Sequence, residues 1–520
     1  MRNFRLNFQK LYYYGLILLA IALPLSIFLL SVAQIILLIN WLLEGKFIEK
    51  WRNIASRKSI LAFLIIYGVH LIGIFYSSDL TYGLHDLQIK LPLLILPIII
   101  GTSLPLGQKQ FYHLLLFFSI AVFISTIIST GKLFSWWGDP VSDIRDISIF
   151  ISHIRLALMI NLAIFSIAWF FQLPKPKYQN ILLGLLLVWF VLFLFLLKSL
   201  TGIIVFAIIT IFLLSKWTIK LQGLIPKWFL GLGIITVLLV SMTYLTHSIS
   251  RFYTMENLES VELDAVTING NQYSHNVNSK DFENGNYTWN YVCEQELLTA
   301  WNQRSKLDYR GTDLKGQELK YTLIRYLTSK GLRKDEAGVK MLSDIDIQNI
   351  ENGIANHIFT QKFSFYPRIY QLLWEINQYK NGGNPSGHSS TQRIVYLQTG
   401  IHIIKDNFWF GVGTGDVAKA FHMQYEKDHS SLAPRWQLRA HNQFITFFIA
   451  FGIVGLFIIL VSLVYPIYKE QKWNSYFMIV FLLTGFISFL NEDTLETHAG
   501  ISFFAFFFAL FLFTPTPTKE

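Results

Sequence analysis

Long apolar blocks, separated by short clusters of lysine and arginine, set the pattern of this chain up to about residue 248 and again after about residue 440. A helix needs ~20 mainly apolar residues to cross a bilayer, fewer or more with tilt, and about twelve blocks reach or approach that length. They predict spans over roughly 12–25, 27–43, 58–76, 90–102, 110–130, 151–172, 179–197, 200–215, 228–246, 440–466, 474–490 and 500–514, with Pro24 dividing the first two.

Between the ninth and tenth spans the pattern changes. "DAVTINGNQYSHNVNSKDFENGNYTWNYV" alternates Tyr, Val and Trp with turn dipeptides and predicts a short β-hairpin or loop region. From Glu294 the apolar residues fall three and four apart, which predicts helices in "EQELLTAWNQRSKL", "KGQELKYTLIRYLTSKG", "SDIDIQNIENGIANHIF" and "PRIYQLLWEINQYKN". A flexible break, "NGGNPSGHSS" (381–390), precedes one more helix over 391–407 and a glycine loop, "GVGTGD" (411–416). The expected fold is an all-α polytopic membrane protein. Its parts are an N-terminal bundle of about nine spans (1–246), a mainly helical periplasmic insert (247–438) lying over the active site, and about three C-terminal spans (439–520).

Composition agrees with this reading, since 53% hydrophobic, 16% aromatic and 15% charged residues exceed what one soluble core can hide. Charge orients the spans. One side collects Arg2, Arg5, Lys10, Lys46, Lys50, Arg52, Arg57, Lys58, Lys109, Lys175, Lys177, Lys216, Lys220, Lys227, Lys469 and Lys472. The other holds Asp79, Asp86, Asp139, Asp143, Asp146, Glu492, Asp493 and Glu496. Cytoplasmic loops carry the positive excess, so both termini are expected in the cytoplasm of a bacterial inner membrane protein. The net charge of +10 follows from that partition and requires no nucleic-acid partner. The first apolar run passes for a signal peptide ending at "SVA", but it continues through "IILLINWLL", and removing it would break the alternation of basic loops. A single cysteine, Cys293, excludes an internal disulfide.

"RAHNQFITFFIAFGIVGL" (439–456) sets a histidine at the lip of a membrane helix with glycines inside it. Eleven residues are three helical turns with ~20° left over, which would put Gly452 and Gly455 beneath His441. The glycines form a lipid groove or let a neighbouring helix pack closely. "RIVYL" puts Arg393 and Leu397 on one helix face.

These strings, Arg with Leu four residues on and His-Asn followed by spaced glycines, resemble the paired motifs of the O-antigen ligase and O-antigen polymerase family. "KDNFWFGVGTGD" after the arginine helix and "LNEDTLETHAG" before the last span extend the resemblance. It implies transfer of a glycan from undecaprenyl diphosphate to a hydroxyl, here a lipid A core sugar, at the outer face of the inner membrane. By carry-over Arg393 grips the diphosphate, because a guanidinium stays charged and binds phosphate oxygens bidentately. His441 acts as base or orients the acceptor, since an imidazole is largely neutral at ambient pH. A second arginine is expected from "DIRDISIFISHIRLALMI", with Arg155 and Arg145 as candidates; Arg155 as a headgroup-seeking arginine is the bland alternative. Lys198, where relatives carry Ser-Arg, adds charge to the site or only packs. Glu492, Asp493 and Glu496 form an orientation-obeying acidic turn, a partner for the arginines, or a metal or base site.

No zinc-type spacing, nucleotide phosphate loop or serine elbow occurs in the sequence, so neither a metal nor a cofactor is expected. The partners implied are the lipid-linked glycan, a glycan acceptor and membrane lipids. A polymerase of the same family, differing in acceptor, and a lipid or polysaccharide transporter are the alternatives.

Overall fold

The computed structural model describes residues 7–137, 144–255, 263–361 and 364–515. They form two compact units, one of residues 1–221 with 392–520 and one of residues 222–391. In the first unit the chain passes through α1 (Phe8–Leu25), α2 (Ile27–Leu43), α3 (Phe47–Ser56), α4 (Lys58–Ile74), α5 (Leu80–Thr102) and α6 (Gln108–Leu133), then α7 (His153–Phe170), α8 (Lys177–Leu196) and α9 (Leu200–Lys220). The second unit holds α10 (Leu224–Tyr253), the hairpin strands β1 (Phe282–Glu283) and β2 (Asn286–Tyr287), α11 (Glu294–Arg304), α12 (Leu319–Ser329), α13 (Glu336–Lys340), α14 (Asp344–Glu351) and α15 (Tyr366–Lys380). The chain then returns through α16 (Ser389–Asp406), α17 (Val417–Lys427), α18 (Gln443–Lys469), α19 (Tyr476–Asn491) and α20 (His498–Phe513).

Eight helices, α1, α5 to α10 and α18, are long and apolar enough to cross a membrane. The pair α2 and α3, bent by 110°, and the shorter apolar α4, α19 and α20 bring the apolar helices among the described residues to the expected twelve. The all-α polytopic class is therefore what the chain adopts. α20 is apolar on every side, as a helix in the middle of a bundle must be. Its phenylalanines are buried, with Phe508 stacked on Phe63 at 4.9 Å and Phe507 edge-on to Phe118 at 4.9 Å.

α5 begins ten residues before its expected start. Asp86 and Lys90 look like a reason to stop a membrane helix, but at i and i+4 they share a face and pair at 2.6 Å in the interior. The compact units also differ from the composition-based parts. α10 joins the insert, its Phe252 meeting Phe282 and Tyr370 in a small aromatic core. Residues 392–438 join the membrane unit, where Tyr396, Phe421 and Tyr425 enter its core.

The insert has its own core, built on Trp301, Tyr309, Leu323, Tyr326 and Leu327. Its hairpin pairs Phe282 with Tyr287, inside the stretch whose alternation predicted it. The buried carboxylate of Glu283 is held by Arg325 at 2.7 Å, Asn356 at 2.6 Å and Tyr370 at 2.9 Å.

α18 is not one continuous helix. Gly452 has φ +63° and ψ −171°, a region open essentially to glycine alone. The break removes the bonds that Ile449 and Ala450 carbonyls would accept one turn on. Val412 N–H at 2.9 Å and Gly413 N–H at 2.8 Å take their place. Ile453 and Val454 N–H, freed by the same break, donate to the carbonyls of Phe408 at 2.9 Å and Trp409 at 3.3 Å. The exchange satisfies these four groups, which a buried break would otherwise leave without partners. The glycine loop is thus inserted into the helix it precedes. On its far side Thr414 bonds to the carbonyls of Gly73 at 3.2 Å and His70 at 2.6 Å in α4.

This corrects the alignment of Gly452 and Gly455 under His441. The helical period does not run through Gly452, and the space is filled by the chain itself, with the backbone of Trp409 and Phe410 against Gly452 and Phe451 and Val69 against Gly455. A Cβ at Gly452 would combine a forbidden backbone region with a clash against Trp409. Gly452→Ala is expected to cost at least ~1–3 kcal/mol and to lower the thermal midpoint of the purified protein. Gly233→Ala, in open space inside α10, should not lower the midpoint.

Candidate functional site

The segment before α18 is built to hold one imidazole. Asn442 caps the helix, its Oδ1 accepting from Ile445 N–H at 3.0 Å and its Nδ2 donating to the Leu490 carbonyl at 3.0 Å. His441 takes φ +48°, uncommon for a residue with a side chain. Its own N–H donates to Asp493 Oδ2 at 3.1 Å, which ties the strained residue to the turn between α19 and α20. The imidazole lies stacked on Tyr396, ring centres 5.5 Å apart, and its Nδ1 faces Glu492 Oε2 at 3.4 Å. Tyr396 is fixed in turn by donating to the Trp436 carbonyl at 2.7 Å, and burial pushes its phenol up to about 12.

Arg393 lies one turn before Tyr396 on α16 and forms an ion pair with Glu492 Oε1. Gly400, two turns further along α16, meets Ile445, where a Cβ would come within 3.1 Å. A single carboxylate, Glu492, therefore links the arginine of α16 to the histidine before α18. Arg155, in the first turn of α7, adds its positive field to the same carboxylate. Its Nη1 donates to Ser152 Oγ at 3.2 Å, while its buried Nε has no hydrogen-bond partner.

The rest of the acidic turn is held from beneath. Glu496 accepts from Lys90 at 2.9 Å, Arg439 at 2.8 Å and Gln443 at 2.9 Å. The Gln443 side chain also accepts from Leu495 N–H at 2.8 Å, so it fixes the turn's backbone as well as its carboxylate. Asp493 accepts from Thr446 Oγ1 at 2.8 Å. The surroundings split the three acids. Burial raises Asp493, reinforced by the charge of Glu496. Burial also acts to raise Glu492, but the bond to His441 and the guanidiniums of Arg393 and Arg155 outweigh it and hold the carboxyl below its usual range. Lys90 and Arg439 overcome burial in the same way and keep Glu496 strongly acidic.

Of the residues expected from the sequence, His441, Arg393 and Arg155 come together. Lys198 occupies the turn between α8 and α9, in the left-handed region with φ +50°. Arg145 belongs to a short 3₁₀ turn, Ile144–Ile147, and its side chain lies outside the described residues. Beside that turn an open cavity of about 510 Å³ is lined by Lys132, Trp137, Asp146, Ser148, Ile149, Ser152 and His153. Lys90, Asp86, Tyr396 and Gln443 escaped the sequence reading as site residues. Lys and Asp four apart inside an apolar run was the available signal. Among the described residues no group of three or more His, Cys, Asp or Glu is arranged to hold a metal ion.

Residues 353–460 match the family described as O-antigen ligase. That stretch carries Arg393, Tyr396, the inserted loop, His441 and the break at Gly452. No curated protein matches the chain.

Lys90 has a side chain only 1% exposed and answers two carboxylates. Removing one partner of a buried ion pair typically costs ~3–5 kcal/mol. Lys90→Met should therefore destabilise the protein strongly in thermal unfolding. Adding Asp86→Asn, which deletes one of the two stranded charges, should recover part of the loss.

Proposed function

We propose that this protein is an O-antigen ligase-like glycosyltransferase. It moves a glycan from undecaprenyl diphosphate to a sugar hydroxyl of the lipid A core at the periplasmic face of the bacterial inner membrane. The convergence of Arg393, Arg155 and His441 on Glu492 carries the reading. Two arginines and one imidazole at the end of a membrane helix suit a diphosphate leaving group beside a hydroxyl nucleophile.

In this reading the donor's diphosphate takes the guanidiniums of Arg393 and Arg155, whose buried Nε lacks a protein partner. With Nδ1 of His441 turned to Glu492, the imidazole proton sits on Nδ1 and Nε2 is free to accept. The acceptor hydroxyl gives its proton to Nε2, and its oxygen attacks the anomeric carbon of the donor sugar. The bond from that carbon to the diphosphate breaks, and undecaprenyl diphosphate leaves with the electron pair in one inverting displacement. The arginines stabilise the charge that grows on the leaving oxygen. Glu492 stabilises the imidazolium.

Topology follows from the basic loops. Both termini and the loops with Lys and Arg are cytoplasmic, and the insert is periplasmic. A thiol reagent that cannot cross the inner membrane should label a cysteine engineered into "NGGNPSGHSS" in intact cells. Labelling only after lysis would put the site on the wrong side for a lipid-linked donor.

The chemistry is tested with purified protein, a defined lipid-linked donor and core-lipid acceptor. His441→Ala should lose ~10²–10⁴-fold in rate while remaining folded. Arg393→Lys should also fail, since a point charge replaces the bidentate fork. Transfer should survive EDTA. Near-normal transfer by His441→Ala would remove the base, and rescue of an EDTA-treated enzyme by a divalent ion would move the chemistry to the acidic turn. Extension of a lipid-linked glycan, with no transfer to core lipid, would make the protein a polymerase.

A further inference from the structure

The candidate site has Glu492 and Glu496 already paired with cations before any substrate arrives. Its carboxylates are Asp86, Glu492, Asp493 and Glu496. Facing them are the permanent cations Lys90, Arg155, Arg393 and Arg439. A diphosphate brings two further negative charges, and the guanidinium of Arg393 is already committed to a carboxylate. At Arg393 a dianion therefore binds only where Glu492 gives up its cation.

The pairs differ in how readily they open. Lys90 and Glu496 are 1% and 10% exposed, and Gln443 and Arg439 lock that carboxylate from two more sides. Asp493 is bonded to a backbone N–H and to Thr446. The Arg393–Glu492 pair is the outermost, with 35% and 14% of the side chains exposed. Glu492 also has a second position within reach. Its Oε2 stands 3.4 Å from His441 Nδ1, too far for a strong bond and close enough to become one by a small side-chain rotation.

From this arrangement we infer that Glu492 is a donor-operated switch, resting on the reading that a lipid-linked diphosphate binds at Arg393. In the empty site Glu492 neutralises Arg393 and holds His441 loosely. When the diphosphate takes the guanidinium, Glu492 is released toward His441 Nδ1–H and shortens that bond. The imidazole then becomes a stronger base only after the donor is in place. An acceptor hydroxyl, or water, meets an unactivated histidine in the empty site. Glu492 is thus a positioning residue whose two partners report opposite effects of its removal.

The test uses the full-length protein in lipid nanodiscs, with undecaprenyl diphosphate as the binding probe and turnover of a lipid-linked glycan donor as the second readout. Glu492→Gln should bind undecaprenyl diphosphate several-fold to about tenfold more tightly, because Arg393 no longer has to be taken from a carboxylate. The same variant should turn over at least about tenfold more slowly, because the imidazolium has lost its partner. Tighter binding with slower turnover is the signature, and loss of fold or of packing alone does not produce it. Unchanged binding with slower turnover would reduce Glu492 to an orienting group and overturn the switch, as would weaker binding. If Glu492→Gln does not fold, Glu492→Asp, one methylene shorter, should shift both readouts in the same directions by smaller factors. Failure of the unaltered protein to bind undecaprenyl diphosphate would instead overturn the donor assignment, and the switch with it.

Discussion

Three carboxylates on a turn between two apolar helices are the constraint around which this protein is organised. Ionised groups in so apolar a setting are tolerated only when paired and hydrogen-bonded. The chain supplies partners for Glu492, Asp493 and Glu496 from α5, α7, α16 and the entry to α18. Each partner is consequently fixed in place. α5 runs through Asp86 and Lys90 because both charges have an answer inside the bundle. His441 holds a left-handed backbone because its N–H has a carboxylate to reach. His441 is thus placed by a bond to its backbone as well as by the stacking of its ring on Tyr396.

A second constraint sets the distance between the two halves of the site. Arg393 and His441 lie on separate helices joined by a long connection, which on its own would leave their separation loose. The loop after α16 is sewn into α18 by four backbone hydrogen bonds across the break at Gly452. α4 holds the same loop through His70 and Gly73. The glycines at 411, 413 and 452 all have positive φ, and together they let two backbones meet at bonding distance. The end of α16 and the middle of α18 are thus one rigid junction, and rigid support is what a site with tolerances below an ångström needs.

Most of the helices could be read from hydropathy, since bilayer thickness fixes their length and each apolar run reports one crossing. The exceptions have physical causes. α5 extends beyond its apolar run because Asp86 and Lys90 share a face and pair inside the bundle. α18 was read as continuous because a helical period extrapolates smoothly through a glycine, whereas whether glycine bends a helix depends on what bonds to the freed backbone. Arg393 and His441 stand out in the sequence chiefly through the resemblance of their motifs, with residue type as support. That the acidic turn partners the arginines is only one of several readings the sequence leaves open. Glu492 lies 99 residues from Arg393 in sequence and Glu496 lies 406 from Lys90, and nothing local in "NEDTLETH" distinguishes a solvated acidic loop from the centre of an ion network.

The two constraints act on different bonds, and this separates what must be rigid from what must yield. The inner network of Lys90, Asp86, Glu496 and Gln443 is sealed from solvent and gives the turn its position. The outer contacts of Glu492 are fewer and more exposed, one ion pair and one long imidazole contact. The pairs are thus graded from sealed to accessible, and the outermost guanidinium, that of Arg393, is the one whose carboxylate is easiest to displace. The proposed diphosphate donor requires such an exchange, because a guanidinium locked to its carboxylate on every side has no donor left for a second anion.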